Sequence, residues 1–207
     1  MPVIVWPWHD YGPTAWPLDP GVASKYTEAL FTGFLDTASA FGSEFVTLAD
    51  LARRTASFGA SELDYSYDAA ASTISATVTS ADAGKFALDL GNLGTSKIKS
   101  VAGWYAYDDD SVFVDKDGGT YSIGLDTTAD DVTHLYDIAH RADPPSVGGN
   151  GEDLTFSVVG EGTFMVDLAD PTGKTVQVTS TTDAAFGQSL VGDKLALTFS
   201  GLGRHDV

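Results

Sequence analysis

Apolar and polar residues alternate over much of the chain from residue 61 to about residue 141. Three runs place an apolar side chain at every second position: Leu63, Tyr65 and Tyr67; Ile74, Ala76 and Val78; and Phe86, Leu88 and Leu90. A period of two is typical of strands with one face buried. Glycine-containing segments at 81–84, 91–94 and 116–119 separate such runs and favour turns. The pattern predicts an antiparallel meander or sandwich.

The last third of the chain shows the same β texture in shorter pieces. Residues 154–158, 163–168, 175–179 and 194–199 are each predicted to form a strand. The segment 142–151, Ala-Asp-Pro-Pro-Ser-Val-Gly-Gly-Asn-Gly, is rich in turn-forming residues and is the best candidate for a linker. Residues 144–207 therefore form either a second β module or a continuation of the first, which covers 59–143.

The first 58 residues have a different texture. An apolar run at 2–8 predicts a buried strand, and apolar spacing of three and four over 21–41 predicts an amphipathic helix. A short strand is predicted at 44–47, and Thr47 is a suitable N-cap for a helix over 48–57. The predicted fold class is mainly β, with antiparallel sandwich modules behind an N-terminal α/β segment of about 58 residues.

The charge of the chain excludes two classes of binding partner. Eleven Lys and Arg stand against 29 Asp and Glu, which gives a net charge of −18. Binding to nucleic acid or to an anionic membrane surface is therefore excluded, because both need clustered basic residues. Aspartate strongly outnumbers glutamate, which suits loops and a saline or calcium-containing exterior. The first residues carry no basic segment typical of a signal peptide, so the protein stays inside the cell, leaves it by another route, or is a piece of a longer secreted chain. The features of the first 60 residues favour the last, and we expect an extracellular or secreted location.

The segment 3–12 carries the most distinctive chemistry. An apolar strand there ends in His9-Asp10, and the carboxyl edge of a strand is where active sites lie in α/β sheets. Trp6, Trp8 and Tyr11 offer aromatic faces on which sugar rings stack. The alternative is a strand followed by a proline-rich turn, with His9 capping a loop.

The order of these features resembles a known family. An apolar strand, His-Asp, a loop, a helix and then Phe-Val-Thr-Leu-Ala-Asp-Leu-Ala at 45–52 resemble the C-terminal end of the NodB-homology polysaccharide deacetylases, carbohydrate esterase family 4. The resemblance covers about residues 3–57, and Pro7 stands where the family usually has leucine. It implies metal-dependent removal of N-acetyl groups from amino-sugar polymers, commonly with zinc. It assigns His9 as the catalytic acid, and by their position Trp6 and Trp8 would line the acetyl pocket. Tyr11 is a further candidate substrate-binding residue because of its aromatic face.

The metal-binding half of that family has no counterpart in the chain. Its Asp-Asp strand end and His-x-x-x-His loop are absent, and His134, His140 and His205 do not share that spacing. Zinc is therefore expected only in a complete enzyme, and the chain alone is expected to be inactive. An incomplete α/β segment would expose strand edges, so association with another chain through this segment is also expected.

Two features of the β region bear on binding. Trp104, in an aromatic run at 104–107, is a candidate glycan-binding residue, although aromatic side chains in strands more often pack in the core. The segments 115–119 and 148–156 resemble pieces of calcium-binding loops, and their alternatives are a hairpin turn and a linker.

Three functions remain open at this stage. The first is the C-terminal part of an extracellular polysaccharide deacetylase with accessory β modules, inactive alone. The second is a non-catalytic carbohydrate-binding or calcium-stabilised adhesion-type module. The third is a structural β domain whose acidity keeps it soluble in salt.

Overall fold

The structure is a computed structural model that describes residues 28–41, 43, 45–83, 86–138 and 143–207. The chain divides into two compact units, Met1–Phe45 and Val46–Val207. Within the first unit, the described part contains helix α1, Glu28–Ala40. This helix lies inside the predicted segment 21–41, whose earlier residues are outside the described range. The predicted strand at 2–8 is outside it as well.

The second unit begins with helix α2, Leu48–Gly59. Thr47 is extended and its hydroxyl accepts the backbone N–H of Asp50 at 3.1 Å, so the predicted N-cap and the helix are confirmed. The predicted strand at 44–47 is wrong for its described residues 45–47, which pair with no strand. The capping geometry at Thr47 places this short connection at the entrance of the helix instead.

A four-stranded antiparallel sheet follows α2. Its strands are β1, Glu62–Asp68; β2, Thr73–Thr79; β4, Lys97–Val101; and β6, Gly118–Asp126, in the order β1-β2-β6-β4. A short pair, β3, Ala87–Asp89, and β5, Ser111–Phe113, lies beside it. The predicted alternation is confirmed in β2, where Ala76 and Val78 are buried and Thr77 is exposed. These strands enclose a core that includes Ile98, Val112, Val114, Tyr121 and Ile123.

The rest of the chain forms two further sheets. One has the order β11-β12-β10-β7, from Gly187–Val191, Lys194–Phe199, Gly162–Asp167 and His134–Asp137 respectively. The other has the order β13-β9-β8, from Arg204–Asp206, Leu154–Val159 and Asp143–Gly149. Their apolar faces share a second core built around Leu135, Phe156, Phe164, Leu197 and Phe199. The structure therefore confirms a mainly β, antiparallel fold.

Residues 104–107 connect the two groups of sheets. The backbone N–H of Leu135 in β7 donates to Tyr105 at 2.8 Å, and that of Tyr107 donates back to Leu135 at 3.0 Å. This short segment forms a parallel bridge to β7, while Tyr107 also pairs with Val112. A stretch of chain that leaves the first sheet thus extends the second.

Two predictions for the last third of the chain are wrong. The expected linker is strand β8, an edge strand whose register shifts between Asp143 and Ser146, where two prolines stand. Proline has no N–H to donate, and edge strands with bulges tolerate it. Residues 175–179 form no strand; Val176 and Val178 still pack against the second core, which accounts for their alternation.

Neither described helix has the length and apolar character needed to cross a membrane.

Candidate functional site

The residues assigned through the family resemblance are not part of the described structure. His9, Trp6, Trp8 and Tyr11 all lie in segment 1–27, outside the described residues. The catalytic and substrate-binding roles predicted for them stay predictions. His140 is also outside the described range, whereas His134 and His205 are described and buried.

Trp104 is half-buried between the two cores and packs against both. Its indole N–H donates to the carbonyl oxygens of Phe113, at 2.9 Å, and Ala106, at 3.1 Å. Its ring lies edge-on to Tyr121 with the centroids 5.6 Å apart. These contacts give Trp104 a structural role where the two groups of sheets meet, and glycan binding by this residue stays a prediction.

Both segments that resemble calcium loops form turns between strands. In the first, the Asp115 carboxylate accepts the backbone N–H of Asp117 at 2.9 Å. In the second, the side-chain oxygen of Asn150 accepts the N–H groups of Glu152 and Asp153, between β8 and β9. No group of three or more metal-ligating side chains occurs among the described residues. Calcium binding stays a prediction, and the side-chain oxygens of Asp115 and Asn150 stabilise the turns by accepting backbone hydrogen bonds.

A groove of about 550 Å³ lies at one end of the β11-β12-β10-β7 sheet. It is lined by Asp131, Leu168, Asp170, Pro171, Thr172, Leu190, Gly192 and Asp193. Its carboxylates support the loops that form it, since Asp131 accepts the N–H of Asp170 at 2.9 Å and Asp170 accepts that of Thr172 at 3.2 Å. Hydrogen bonds from Thr172 lower the pKa of Asp170. Two of the three aspartates of the groove, Asp131 and Asp170, therefore have a structural role as caps of these loops.

A polar cluster lies on the face of the same sheet that is opposite the second core. His134, Asp167 and Lys194 are cross-strand neighbours on β7, β10 and β12. Lys194 is hydrogen-bonded to Asp167 and lies 3.9 Å over the ring centre of Tyr136. His134 is stacked on Tyr107 with the ring centroids 4.0 Å apart. The cluster ties residues 104–107 to the sheet.

The protonation of His134 is set by its surroundings. Burial lowers its pKa, and a hydrogen bond to the Val132 carbonyl at 2.6 Å opposes that shift only in part. A neutral imidazole with its proton on Nδ1 satisfies this carbonyl. His134 therefore acts as an uncharged packing partner of Tyr107.

An exposed row of apolar and aromatic side chains on β1 is the arrangement best suited to bind a ligand. Leu63, Tyr65 and Tyr67 are 55%, 69% and 57% exposed. They alternate along the strand, so their side chains lie on one face of the sheet. With a rise of about 3.4 Å per residue, the two tyrosines start about 6.8 Å apart. We call these three residues the aromatic row.

The position of β1 in the sheet explains the exposure. Its cross-strand neighbours on β2 are Val78 for Leu63, Ala76 for Tyr65 and Ile74 for Tyr67. Ala76 and Val78 are buried, Val78 belongs to the first core and Ile74 packs against it, so the aromatic row lies on the core-facing side of the sheet. Because β1 is the edge strand, the row extends past the core and reaches solvent. Neither tyrosine hydroxyl makes a hydrogen bond to another described residue.

The strand that carries the aromatic row and the two strands next to it in the sheet are free of basic residues. Strands β1, β2 and β6 contain no Lys or Arg, and β1 carries Glu62, Asp64 and Asp68. The opposite face of these strands presents small hydroxyl side chains, such as Thr77 and Thr120, whose oxygens are 3.2 Å apart. The row is thus an apolar strip on an anionic, hydroxyl-rich sheet.

The sequence contained part of the signal for this row. The alternation of Leu63, Tyr65 and Tyr67 predicted the strand, and by itself it indicated a buried face. The exposure follows only from the strand order, which puts β1 at the edge. Pairing over long distances in the chain sets that order, so sequence reasoning missed the site.

The chain matches no protein-family model, no curated protein and no solved structure.

Proposed function

We propose that the chain is the C-terminal part of an extracellular polysaccharide deacetylase, inactive alone, and that its β region is a polysaccharide-binding module. The observation that carries the binding function is the exposed aromatic row of Leu63, Tyr65 and Tyr67. The enzyme assignment rests on the resemblance over residues 3–57.

The form of the row supports an extended sugar polymer as its ligand. Exposed tyrosines combine an apolar ring face, on which the C–H face of a sugar stacks, with a hydroxyl that exchanges hydrogen bonds with sugar hydroxyls. A row of three side chains along one strand is open at both ends and favours a linear chain over a small, enclosed ligand. Large exposed apolar side chains in a line are also unusual for surfaces without a partner.

The negative charge of the module favours uncharged polysaccharides over anionic ones. The net charge of −18 and the three carboxylates on β1 repel uronate-rich or sulfated polymers. An uncharged polymer, including an N-acetylated amino-sugar polymer, has no such penalty. We therefore assign a neutral polysaccharide to the aromatic row.

Affinity electrophoresis in gels that contain glycol chitin or hydroxyethyl cellulose, both neutral, tests this function. The wild type is expected to be retarded by at least one of the two polymers. Each Tyr→Thr substitution in the row removes a stacking contact of about 1 kcal/mol, which is about a fivefold loss in affinity. Threonine keeps the β propensity of the strand, so the fold is retained.

Two matched variants separate binding from stability. Tyr65→Phe keeps the ring and is expected to keep most of the retardation. Ser66→Thr, on the other face of the same strand, is expected to change nothing. No retardation of the wild type by either neutral polymer, or equal retardation of wild type and the Tyr65→Thr/Tyr67→Thr variant, contradicts the proposal, as does stronger retardation by polygalacturonate.

The expected inactivity of the chain alone has a separate test. Acetate release from an N-acetylated amino-sugar oligomer is measured with added zinc, for the wild type and for His9→Ala. We expect no release from either protein, because the family's metal-binding motifs are absent. Acetate release by the wild type that His9→Ala abolishes would show that the chain is itself the enzyme and not an inactive part.

A further inference from the structure

His205 lies at the centre of the short strand β13 and is almost fully buried, with 4% of its surface exposed. Its Nδ1 is 3.0 Å from both carboxylate oxygens of Asp183, in the loop before β11. Its Nε2 is 2.8 Å from the carbonyl oxygen of Gly160, between β9 and β10, and from that of Gly201, between β12 and β13. One ring thus joins β13 to three separate loops.

The partners of the ring define its protonation. A carbonyl oxygen only accepts hydrogen bonds, and so does an ionised carboxylate. All three partners are therefore satisfied only when both ring nitrogens carry a proton. That state is the imidazolium cation, which places a buried positive charge against the Asp183 carboxylate.

The two charged side chains that flank the ring on β13, Arg204 and Asp206, pair with each other. On β13 itself, Arg204 donates to the Asp206 carboxylate at 2.7 Å. The hydroxyl of Ser157 on β9 donates to the same carboxylate and accepts from Arg204 at 2.9 Å. From β12, the ring of Phe199 stacks on His205 with the centroids 4.4 Å apart, which suits a cation. Asp183 is left as the counter-charge of the imidazolium.

Asp183 is held in place by its own loop. The hydroxyl of Thr182 donates to its carboxylate at 2.8 Å, and that of Ser180 donates at 3.1 Å. Thr182 also accepts the backbone N–H of Asp206 at 2.9 Å, which links this loop directly to β13. The carboxylate is therefore positioned before the histidine binds it.

We propose that His205 is a pH-operated clamp that holds β13 in its sheet when protonated and releases β13 when it loses a proton. A neutral ring has one N–H, so deprotonation breaks the ring's hydrogen bonds either to Asp183 or to the two carbonyl oxygens. It also removes the positive charge that pairs with the Asp183 carboxylate, which keeps only its donors Thr182 and Ser180. The loss of these buried interactions is costly, and the cheapest relief is for the short strand to open. The sheet β1-β2-β6-β4 has no part in this cluster and stays closed.

The direction of the effect follows from the environment of the ring. Burial acts to lower the pKa of His205, but the hydrogen bonds to Gly201, Asp183 and Gly160 outweigh it and raise the pKa above its usual value. The stabilisation is fully present below the unfolded-state pKa of about 6.5. It is lost as the pH rises through the folded-state pKa, so the clamp opens on the alkaline side.

Hydrogen exchange followed by NMR at several pH values tests the clamp on the intact chain. Phe156 and Val207 exchange backbone hydrogen bonds at 2.9 Å beside β13, so their amide protection factors report its opening. We expect these factors to fall with rising pH, by about tenfold for each unit by which folding raises the pKa. Protection of Tyr121 and Ile123 in β6 is expected to stay constant. The ring signals of His205 give its pKa directly.

Asp183→Asn keeps the shape of the side chain and one hydrogen-bond acceptor but removes the negative charge that pairs with the His205 imidazolium. The opening of β13 is therefore expected at lower pH than in the wild type. His134→Gln, which removes the other buried histidine described, is expected to leave the β13 response unchanged. The proposal is overturned by a His205 pKa at or below about 6.5, by protection of Phe156 and Val207 that does not change with pH, or by an Asp183→Asn midpoint equal to that of the wild type. The ring titration needs no variant, so poor folding of Asp183→Asn leaves the test intact.

Discussion

Gly118 lies at the start of β6, where it pairs with Thr79 of β2. Its backbone has a φ of +81°, in the left-handed region that favours glycine. A Cβ at this position would overlap the carbonyl oxygen of Val78 and would lie 3.1 Å from the carbonyl carbon of that residue and 3.3 Å from the nitrogen of Ser80. These are backbone atoms, which cannot rotate away. Gly118→Ala therefore forces β2 and β6 apart at this end.

The loss in the free energy of unfolding expected for Gly118→Ala has two contributions. An L-residue in the left-handed region costs about 1–2 kcal/mol. Opening the end of the β2–β6 ladder removes about two hydrogen bonds, at about 1 kcal/mol each. The expected loss in the free energy of unfolding for Gly118→Ala is therefore about 3–4 kcal/mol.

Gly173→Ala is the matched control for the steric part. Gly173 has a similar φ of +72°, and a Cβ there would meet nothing within 4 Å. Only the left-handed cost applies, so the expected loss is about 1–2 kcal/mol. Urea unfolding, followed by tryptophan fluorescence and extrapolated to water, gives the free energy of unfolding of each variant. Equal losses for the two variants, within about 0.5 kcal/mol, would refute the close approach between β6 and Val78.

Two further predictions concern the junction between the groups of sheets. Trp104→Phe removes the N–H that donates to the carbonyl oxygens of Ala106 and Phe113, and it should lower the free energy of unfolding by about 1–2 kcal/mol. A free energy of unfolding equal to that of the wild type, measured with urea, would contradict the structural role of the indole. Since folding lowers the pKa of His134, its contribution to stability is present above the unfolded-state pKa of about 6.5 and is lost as the pH falls from there through the lower folded-state pKa. His134→Gln should therefore flatten the acid side of the stability profile, and an unchanged slope would show that the ring is not buried neutral.

The elements that sequence reasoning predicted are those whose signal is local. The Thr47 cap and the alternation in β2 each depend on a few adjacent residues, so they can be recognised without knowing the rest of the fold. Residues 194–199 form a strand with the predicted bounds for the same reason. The strand β11, which sequence reasoning missed, is fully exposed and carries no alternation of burial.

The errors arise where long-range pairing overrides the local signal. The prolines of β8 indicate a linker, and the strand exists because β9 offers a partner to an edge that tolerates a bulge. Val176 and Val178 indicate a strand, but they pack inward without a partner strand for their backbone.

The candidate sites also depend on long-range contacts that the local sequence does not show. The aromatic row was visible as a strand, but its exposure depends on the edge position of β1. The partners of His205 are 45, 22 and 4 residues away in the sequence, so no local pattern indicated them. Sequence reasoning found the residue types and could not supply their neighbours.

The most direct test of polysaccharide binding is an NMR titration of the labelled chain with a neutral N-acetylated amino-sugar oligosaccharide and, separately, with a cello-oligosaccharide. At least one of them is expected to shift the amide signals of Leu63, Tyr65 and Tyr67 and the ring signals of the two tyrosines, and to leave the signals of Ser75 and Thr77 on the opposite face unchanged. Shifts confined to other parts of the chain, or no shifts with either sugar at millimolar concentration, would contradict polysaccharide binding by the aromatic row.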